Sequence, residues 1–227
     1  MKRSFQKKKD KPLSGYKLLI NAGPTREKID PVRFISNYSS GKMGIAIADN
    51  AASYGADVEL VLGPVEIRPK SREIKIINVT SAESMAKECI SRFDHCDIAI
   101  LSAAVADFTP EIIADNKIKR GGKDLIIKLK PTIDIASELG RMKKKGQILV
   151  GFALETDNEI ENAMSKLKRK NLDFIVLNSM NDKGAGFGVD TNRITIIDKQ
   201  NNIDKFELKS KEEAAKDIID KVVSIIK

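Results

Sequence analysis

The 227-residue sequence has no tryptophan, one histidine, two cysteines and three tyrosines. Each scarcity removes a class of chemistry. Cys89, Cys96 and His95 are too few for a disulfide framework or a closed zinc site, so both thiols read as buried groups of a reducing compartment. The Asn37 and Asn78 sequons then carry no glycan. With so few aromatics there is no basic stripe interleaved with rings on which bases could stack. No apolar run approaches the ~18 residues needed to cross a bilayer. The basic opening stretch lacks the apolar core of a secretory signal, and residues 1–13 read as a tail or linker ahead of one domain over 14–227. These absences point to a cytoplasmic protein that binds neither membrane nor nucleic acid.

What is present is a core and an excess of positive charge. Hydrophobic residues make up 41%, and 40 basic against 32 acidic residues leave a net +8. That excess suits a polyanionic partner such as phosphorylated small molecules, or serves only solubility on helix faces. Strand and helix patterns alternate along the chain. Strands are expected at 17–21, 57–62, 73–79, 96–102, 147–152 and 173–177, and helices at 41–54, after Thr80, and from Thr156 to Lys170. Capping boxes are expected at Thr80 with Glu83, Thr156 with Glu159 and Ser210 with Glu213, the last opening a C-terminal amphipathic helix. The sum is an α/β fold: a Rossmann-like, doubly wound, mostly parallel sheet with helices on both faces. Two segments interrupt it. A basic flap covers about residues 109–130, with residues 124–130 alternating like a strand. Residues 193–208 form a β-hairpin suited to a dimerisation arm.

The first strand-to-helix connection, residues 23–44, is roughly 20 residues long where about 2–6 is usual, and it leaves the strand edge at which doubly wound folds bind ligands. It ends in Ser39-Ser40-Gly41-Lys42, a helix opening whose free N–H groups attract anions, with either serine a natural N-cap. It is neither a Walker A loop nor a G-x-G-x-x-G fingerprint.

Several stretches together resemble the phosphopantothenoylcysteine synthetase family. They include Gly23-Pro24-Thr25-Arg26-Glu27, residues 30–37 and 39–44, Ala103-Ala104-Val105-Ala106-Asp107-Phe108, Lys117-Ile118-Lys119, residues 151–156 and Lys170-Asn171-Leu172-Asp173. The resemblance runs from about Leu13 to the C-terminus. It implies a ligase that activates 4′-phosphopantothenate with CTP and Mg²⁺ as an acyl-cytidylate, then joins it to cysteine. It also implies a homodimer, no flavin in this chain, and a separate flavin-dependent decarboxylase as a possible partner. Residues 13–17 look like the junction at which such a decarboxylase precedes this domain in two-domain members.

Residue by residue, the resemblance makes Asn37 the holder of the acyl intermediate and Lys117 a catalytic lysine on the flap. It gives Arg33 a triphosphate contact, reaching into a neighbouring subunit. Nucleotide contacts fall on Gly23, Ser39, Ser40, Gly41, Ala103, Asp107, Phe108, Phe152, Lys166 and Lys170, with Mg²⁺ beside Asp107. Contacts at Ile133, Asp134, Ile135 and Ala136 are also implied, but the family's Thr-Pro-Asp-Ile reads Pro131-Thr132-Ile133-Asp134 here. Independently of family, steps of ~100° put Lys166 and Lys170 on one flank of the apolar stripe formed by Ile160, Ala163, Met164 and Leu167.

These residue types suit the chemistry. A carboxylate, a phosphomonoester and a triphosphate bring together roughly seven negative charges. A cation near 4 Å offsets about 4 kcal/mol at an effective dielectric of 20. The attacking carboxylate needs no base, and His95, just before a strand, sits at the wrong sheet edge. The residues alone leave two rivals standing. An NAD(P) oxidoreductase would fit the βαβ opening, although Gly63-Pro64 stands where it needs an acidic residue. A basic nucleic-acid-binding module would fit the charge.

Overall fold

The computed structural model describes residues 11–122, 124–179, 186 and 188–226. In chain order the elements begin β1 (Lys17–Ala22), β2 (Arg26–Lys28), β3 (Phe34–Ser36), α1 (Lys42–Ser53), β4 (Asp57–Leu62), β5 (Lys75–Asn78) and α2 (Ala82–Phe93). They continue β6 (Ile98–Leu101), β7 (Phe108–Pro110), β8 (Leu129–Pro131), α3 (Ile135–Met142), β9 (Ile148–Glu155) and α4 (Glu159–Arg169). The chain closes with β10 (Phe174–Ser179), β11 (Thr191–Asn192), β12 (Ile194–Asp198), β13 (Ile203–Lys205), β14 (Lys209–Ser210) and α5 (Lys211–Ile226).

Eight strands form one sheet in the order β13-β12-β10-β9-β6-β1-β4-β5. The six from β10 to β5 are parallel, and β12 and β13 add antiparallel at the edge. The doubly wound expectation therefore holds. The 193–208 hairpin continues this sheet, pairing β12 along β10 and turning through residues 199–202. The central strands form because they are continuously apolar: β6 is Ile-Ala-Ile-Leu, buried along its length. Burying one such Ile side chain is worth about 1.5–3 kcal/mol. Helices α1 and α5 pack on one face, and α2, α3 and α4 cover the other. From β1 the chain winds outward to β4 and β5, and from β6 it winds the other way to β9 and β10. The winding reverses between β1 and β6, and ligand crevices open at the carboxyl ends of strands at such a point.

Local signals were displaced in four places. The cap of α2 is Ser81, one residue later than Thr80: Ser84 N–H donates to its hydroxyl at 3.2 Å, and Ser81 N–H donates to the Ser84 hydroxyl at 3.0 Å. Helix α4 has no side-chain cap. It starts after Asn158 in the left-handed region (φ 43°), too late for a Thr156 box, and the Thr156 hydroxyl donates to Asp157 instead. The long first connection is not irregular throughout, since β2 and β3 pair as a short hairpin. Of the strand expected at 124–130, Leu129 and Lys130 enter β8, which pairs with β7, and residues 124–128 lie outside it. The Ser210–Glu213 box is present, with Glu213 N–H donating to Ser210 Oγ at 3.2 Å and Ser210 N–H to Glu213 Oε2 at 3.0 Å.

Candidate active site

A cavity of about 480 Å³ opens at the reversal point, within the size range of small-molecule sites. Its floor depends on Asn21, the buried fifth residue of β1. Asn21 Oδ1 accepts the Ala103 N–H at 2.9 Å, and the Asn21 backbone oxygen accepts the Ser102 hydroxyl at 2.7 Å. Thr25 holds the next turn, accepting Ala106 N–H at 3.0 Å, and Thr132 Oγ1 donates to Ala106 O at 2.6 Å. The 103–107 loop is thus fixed by residues far away in sequence.

Helix α1 points its N-terminus into this space. Gly41 is its N-cap in the left-handed region (φ 75°), and no side chain caps the helix. The serines expected to cap do not: Ser39 Oγ accepts from Gly41 N–H at 3.3 Å, ahead of the first turn. The first-turn N–H groups therefore keep their capacity for an anion. Gly44 explains how close the helix sits. A Cβ there would lie 2.4 Å from Ala22 Cβ and from Ser102 Oγ.

Of the residues implied by the resemblance, Asn37, Ser39, Ser40, Gly41, Ala103 and Asp107 line the cavity. So do Ile133, Asp134, Ile135, Ala136, Phe152, Lys166 and Lys170. Both Asn37 amide hydrogens are engaged, donating to Ala104 O at 3.0 Å and Val105 O at 3.2 Å. Donation to a substrate carbonyl therefore requires exchanging one of these bonds. The two lysines of α4 do converge, each with a carboxylate: Lys166 on Glu155 (2.6 Å) and Lys170 on Asp134 (2.9 Å). Burial pushes the Asp134 carboxyl up, but Lys170 and the Ser137 N–H and hydroxyl outweigh it and leave its pKa below the ordinary value. Among the described residues no group of three or more His, Cys, Asp or Glu is arranged to hold a metal, and Asp107 and Asp134 are the aspartates lining the cavity.

Gly23, Arg33, Phe108 and Lys117 do not line this cavity. Gly23 lies behind the wall, its carbonyl accepting Ala104 N–H at 3.0 Å. Phe108 is half exposed on β7. Arg33 is bonded within its own chain while its side chain stays 41% exposed. It bonds the fully buried Asp30 carboxylate through Nε (3.0 Å) and Nη2, and donates from Nη2 to Ile118 O at 2.8 Å. Asp30 also accepts from Val32 and Arg33 N–H (both 2.8 Å) and from Ile118 N–H (3.1 Å). The Arg33 guanidinium holds the Asp30 carboxyl far below the usual carboxylate range, against the opposing effect of burial. The pair clamps the flap beside the exposed Lys117.

Sequence reasoning missed Asn21, Thr25, Asp30, Asn178, Asn192 and Lys211. The signal available for Asn21 was an amide ending an otherwise apolar strand. Asn192 and Lys211 offered none, because neither stands near another cavity residue in sequence.

Residues 13–226 match the family described as the DNA/pantothenate metabolism flavoprotein C-terminal domain. The chain belongs to this family. The resemblance read from the motifs, to phosphopantothenoylcysteine synthetases, is borne out. A protein from an unknown prokaryotic organism named cysteine/cysteine sulfinic acid decarboxylase is 66% identical over 98% of this chain and 62% of its own length. The coenzyme A biosynthesis bifunctional protein CoaBC of Bacillus subtilis is 44% identical over 99% of this chain and 55% of its own length. The chain thus spans somewhat over half of these curated relatives. A crystal structure of the C-terminal domain of a CoaBC protein superposes with a TM-score of 0.82 at 38% identity, covering 96% of this chain and 98% of that one.

Proposed function

We propose that this domain is a ligase of coenzyme A synthesis that joins 4′-phosphopantothenate to cysteine, with CTP as the activating nucleotide. One observation carries the reading: an uncapped helix N-terminus, Asn37, Asp107 and the Lys166–Lys170 pair surround one cavity in a chain of this family.

In the first step the substrate carboxylate attacks the α-phosphorus of CTP. A P–O bond forms, and diphosphate leaves with the electrons of the broken bond. Lys166, Lys170 and the first-turn N–H groups of α1 offset the charge that gathers there. Asp107 would hold Mg²⁺, an ion that commonly uses one or two carboxylates together with substrate phosphates; bound there, it would supply positive charge to offset the leaving diphosphate. In the second step the neutral cysteine amine attacks the acyl carbonyl. The C–N bond forms, the acyl C–O bond breaks with its electron pair leaving on CMP, and the nitrogen gives up one proton to solvent. Asn37 faces that carbonyl after exchanging a bond with Ala104 or Val105. Lys117 reaches the site by flap closure, because it stands outside the cavity wall.

The chain works as a cytoplasmic homodimer in this reading, alongside a flavin-dependent decarboxylase that takes its product. Exposed apolar side chains for self-association gather on the β2–β3 hairpin and flap: Val32, Phe34, Phe108, Ile112 and Ile126. The 193–208 hairpin shows fewer, Ile203 and Leu208.

The test is diphosphate release by the purified chain with Mg²⁺. Release that needs both CTP and 4′-phosphopantothenate, with phosphopantothenoylcysteine formed once cysteine is added, is the expected result. No release with every substrate present overturns it. The name of the 66% identical relative favours a second reading, decarboxylation of cysteine. CO₂ evolved from cysteine alone, without nucleotide, would establish that one instead.

A further inference from the structure

The lysines at the end of α4 that reach the cavity are paired in different ways. Lys166 meets Glu155 at 2.6 Å, and the Glu155 side chain is 12% exposed and does not line the cavity. The other Glu155 oxygen accepts a long bond, from Asn162 Nδ2 at 3.4 Å. Separating this pair would leave a mostly buried carboxylate with a weak donor among the described residues, which is costly. Lys170 is the reverse case. Its side chain is 18% exposed, while its carboxylate partner, Asp134, is 48% exposed and lines the cavity itself.

Asp134 does not depend on Lys170. It is the N-cap of α3, where Ser137 N–H donates to Oδ1 at 3.1 Å and the Ser137 hydroxyl donates to Oδ2 at 2.8 Å. Its charge also faces the positive end of that helix. With Lys170 turned to another anion, Asp134 would keep both donors and the helix end. The backbones are locked during such a change. Lys170 is the C-cap of α4, and a Cβ on Gly140 of α3 would lie 2.1 Å from Lys170 O. Asn171 Nδ2 adds a bond to Gly140 O at 3.0 Å. The ammonium can therefore change partners while the two helices stay fixed together.

We propose that Asp134 is a built-in competitor for the phosphates that Lys170 binds. The ammonium leaves the carboxylate for the nucleotide, and the carboxylate takes it back as diphosphate departs. This rests on the ligase reading and gives one wall residue the task of limiting how long the product stays. Glu155 holds Lys166 in place throughout. The Asp134 carboxylate repels a phosphate seated on Lys170, so it lowers the affinity for every phosphate bound there. A site of bare lysines would hold diphosphate tightly and slow each turnover at product release.

The test is calorimetric titration of the full chain with inorganic diphosphate and Mg²⁺. Asp134→Asn removes the charge and keeps a good N-cap, and Asp134→Ser does the same with a different group. Both are expected to tighten diphosphate about twofold to fivefold, the scale of a partly exposed ion pair. The gain should shrink as salt rises. In turnover, the inhibition constant of diphosphate should fall by the same factor. A purely structural Asp134 gives the opposite sign, because a disturbed wall binds less. Unchanged or weaker diphosphate binding in both variants overturns the proposal. So does tightening by Asp134→Asn alone, which traces the gain to the new amide and not to the lost charge. The ligase reading fails separately. Tighter diphosphate in both variants, with no diphosphate released from CTP by the wild type, sinks the ligase and keeps the competition. Wild-type turnover with diphosphate binding unaltered in the variants does the reverse.

Discussion

At the amino edge of the sheet, Asp173 accepts from Lys143 Nζ and Leu149 N–H at 2.7 Å each and pairs with Lys199 at 2.8 Å. Beyond the carboxyl edge of the same strands, Asn192 keeps a buried oxygen with no donor. The contrast recurs. On the amino side Lys17 N–H donates to Asp97 at 2.8 Å, and Gln147 Nε2 bonds Phe93 O and Cys96 O at 2.9 and 2.8 Å. Arg92 Nε there lacks a hydrogen bond but lies 3.7 Å from Glu59. On the carboxyl side the first turn of α1 has no side-chain cap, and among the described residues Lys211 Nζ donates to two carbonyls, Gly186 O and Val189 O. At the amino edge the polar groups mostly bond one another and hold the fold. The carboxyl edge mixes ion pairs on cavity-lining lysines, Lys166 with Glu155 and Lys170 with Asp134, with groups that keep bonding capacity for a ligand.

The sharpest way to break this distinction is to cut one group at each edge and ask which property suffers. Asn37→Ala is expected to lower kcat on the order of 100-fold, the scale of losing one transition-state donor. Its melting temperature should fall only slightly, from the loss of two exposed bonds to Ala104 O and Val105 O. Thermal unfolding and diphosphate release on the same sample measure both. Asp173→Asn should do the opposite. It leaves Lys143 and Lys199 without their shared carboxylate and costs about 2–3 kcal/mol in chemical denaturation, while kcat of the folded fraction stays as it was. A fall in kcat from Asp173→Asn matching that of Asn37→Ala would erase the distinction between the edges.

Asp30 tests the boundary between the two classes, since its bonds are complete yet it serves the flap. Asp30→Asn removes the charge that grips Arg33 and Ile118, so the flap loosens and kcat falls by about tenfold, with faster proteolysis within residues 109–130 as the second readout. The acid dependence follows from the direction of the shift. The folded carboxyl is held below its ordinary pKa, so its stabilisation is complete above about pH 4 and fades as pH falls through the lowered folded value. The wild-type advantage over Asp30→Asn should therefore persist at mildly acid pH and vanish only in strong acid.

How far the sequence carried this picture depended on the range of each interaction. The β6 run and the α4 stripe are local patterns, and the structure has them where the residues put them, with Lys166 and Lys170 on one flank. The β2–β3 hairpin escaped notice because its strands are three residues each and mostly polar, and its turn is set by Asp30 accepting from Val32 and Arg33. Serines 39 and 40 looked like caps because spacing alone does not reveal that Gly41 turns left-handed and takes the cap position. Asn21 bonds Ala103 across 82 residues, and Asn192 is brought to Lys211 only by the pairing of two-residue strands. No window of sequence holds such partners together. The part of the cavity lined by Asn37, residues 39–41, residues 103–105 and Asp107 was therefore readable from motifs, while the part lined by Asn21, Asn192 and Lys211 was not.

The smallest expected effect concerns the cysteines, one near each edge. Burial pushes both thiols up to about 12, with Asn21 pulling Cys89 back only in part. The thiolate is the reactive form, so neither residue should react with a disulfide reagent at pH 8 while the chain is folded, and both should react once guanidinium unfolds it. The edges still differ in order of release. Cys96 is 9% exposed beside the small amino-edge cavity that it shares with Lys17, Asp57 and His95, whereas Cys89 is fully buried and its sulfur lies 4.0 Å from Asn21 Nδ2. Labelling in mild denaturant should therefore reach Cys96 first, by local opening that leaves activity intact. Cys89 should follow only with loss of the proposed activity, because exposing it uncouples Asn21 from the loop that builds the cavity floor. Mass spectrometry of partially labelled protein distinguishes this order from its reverse.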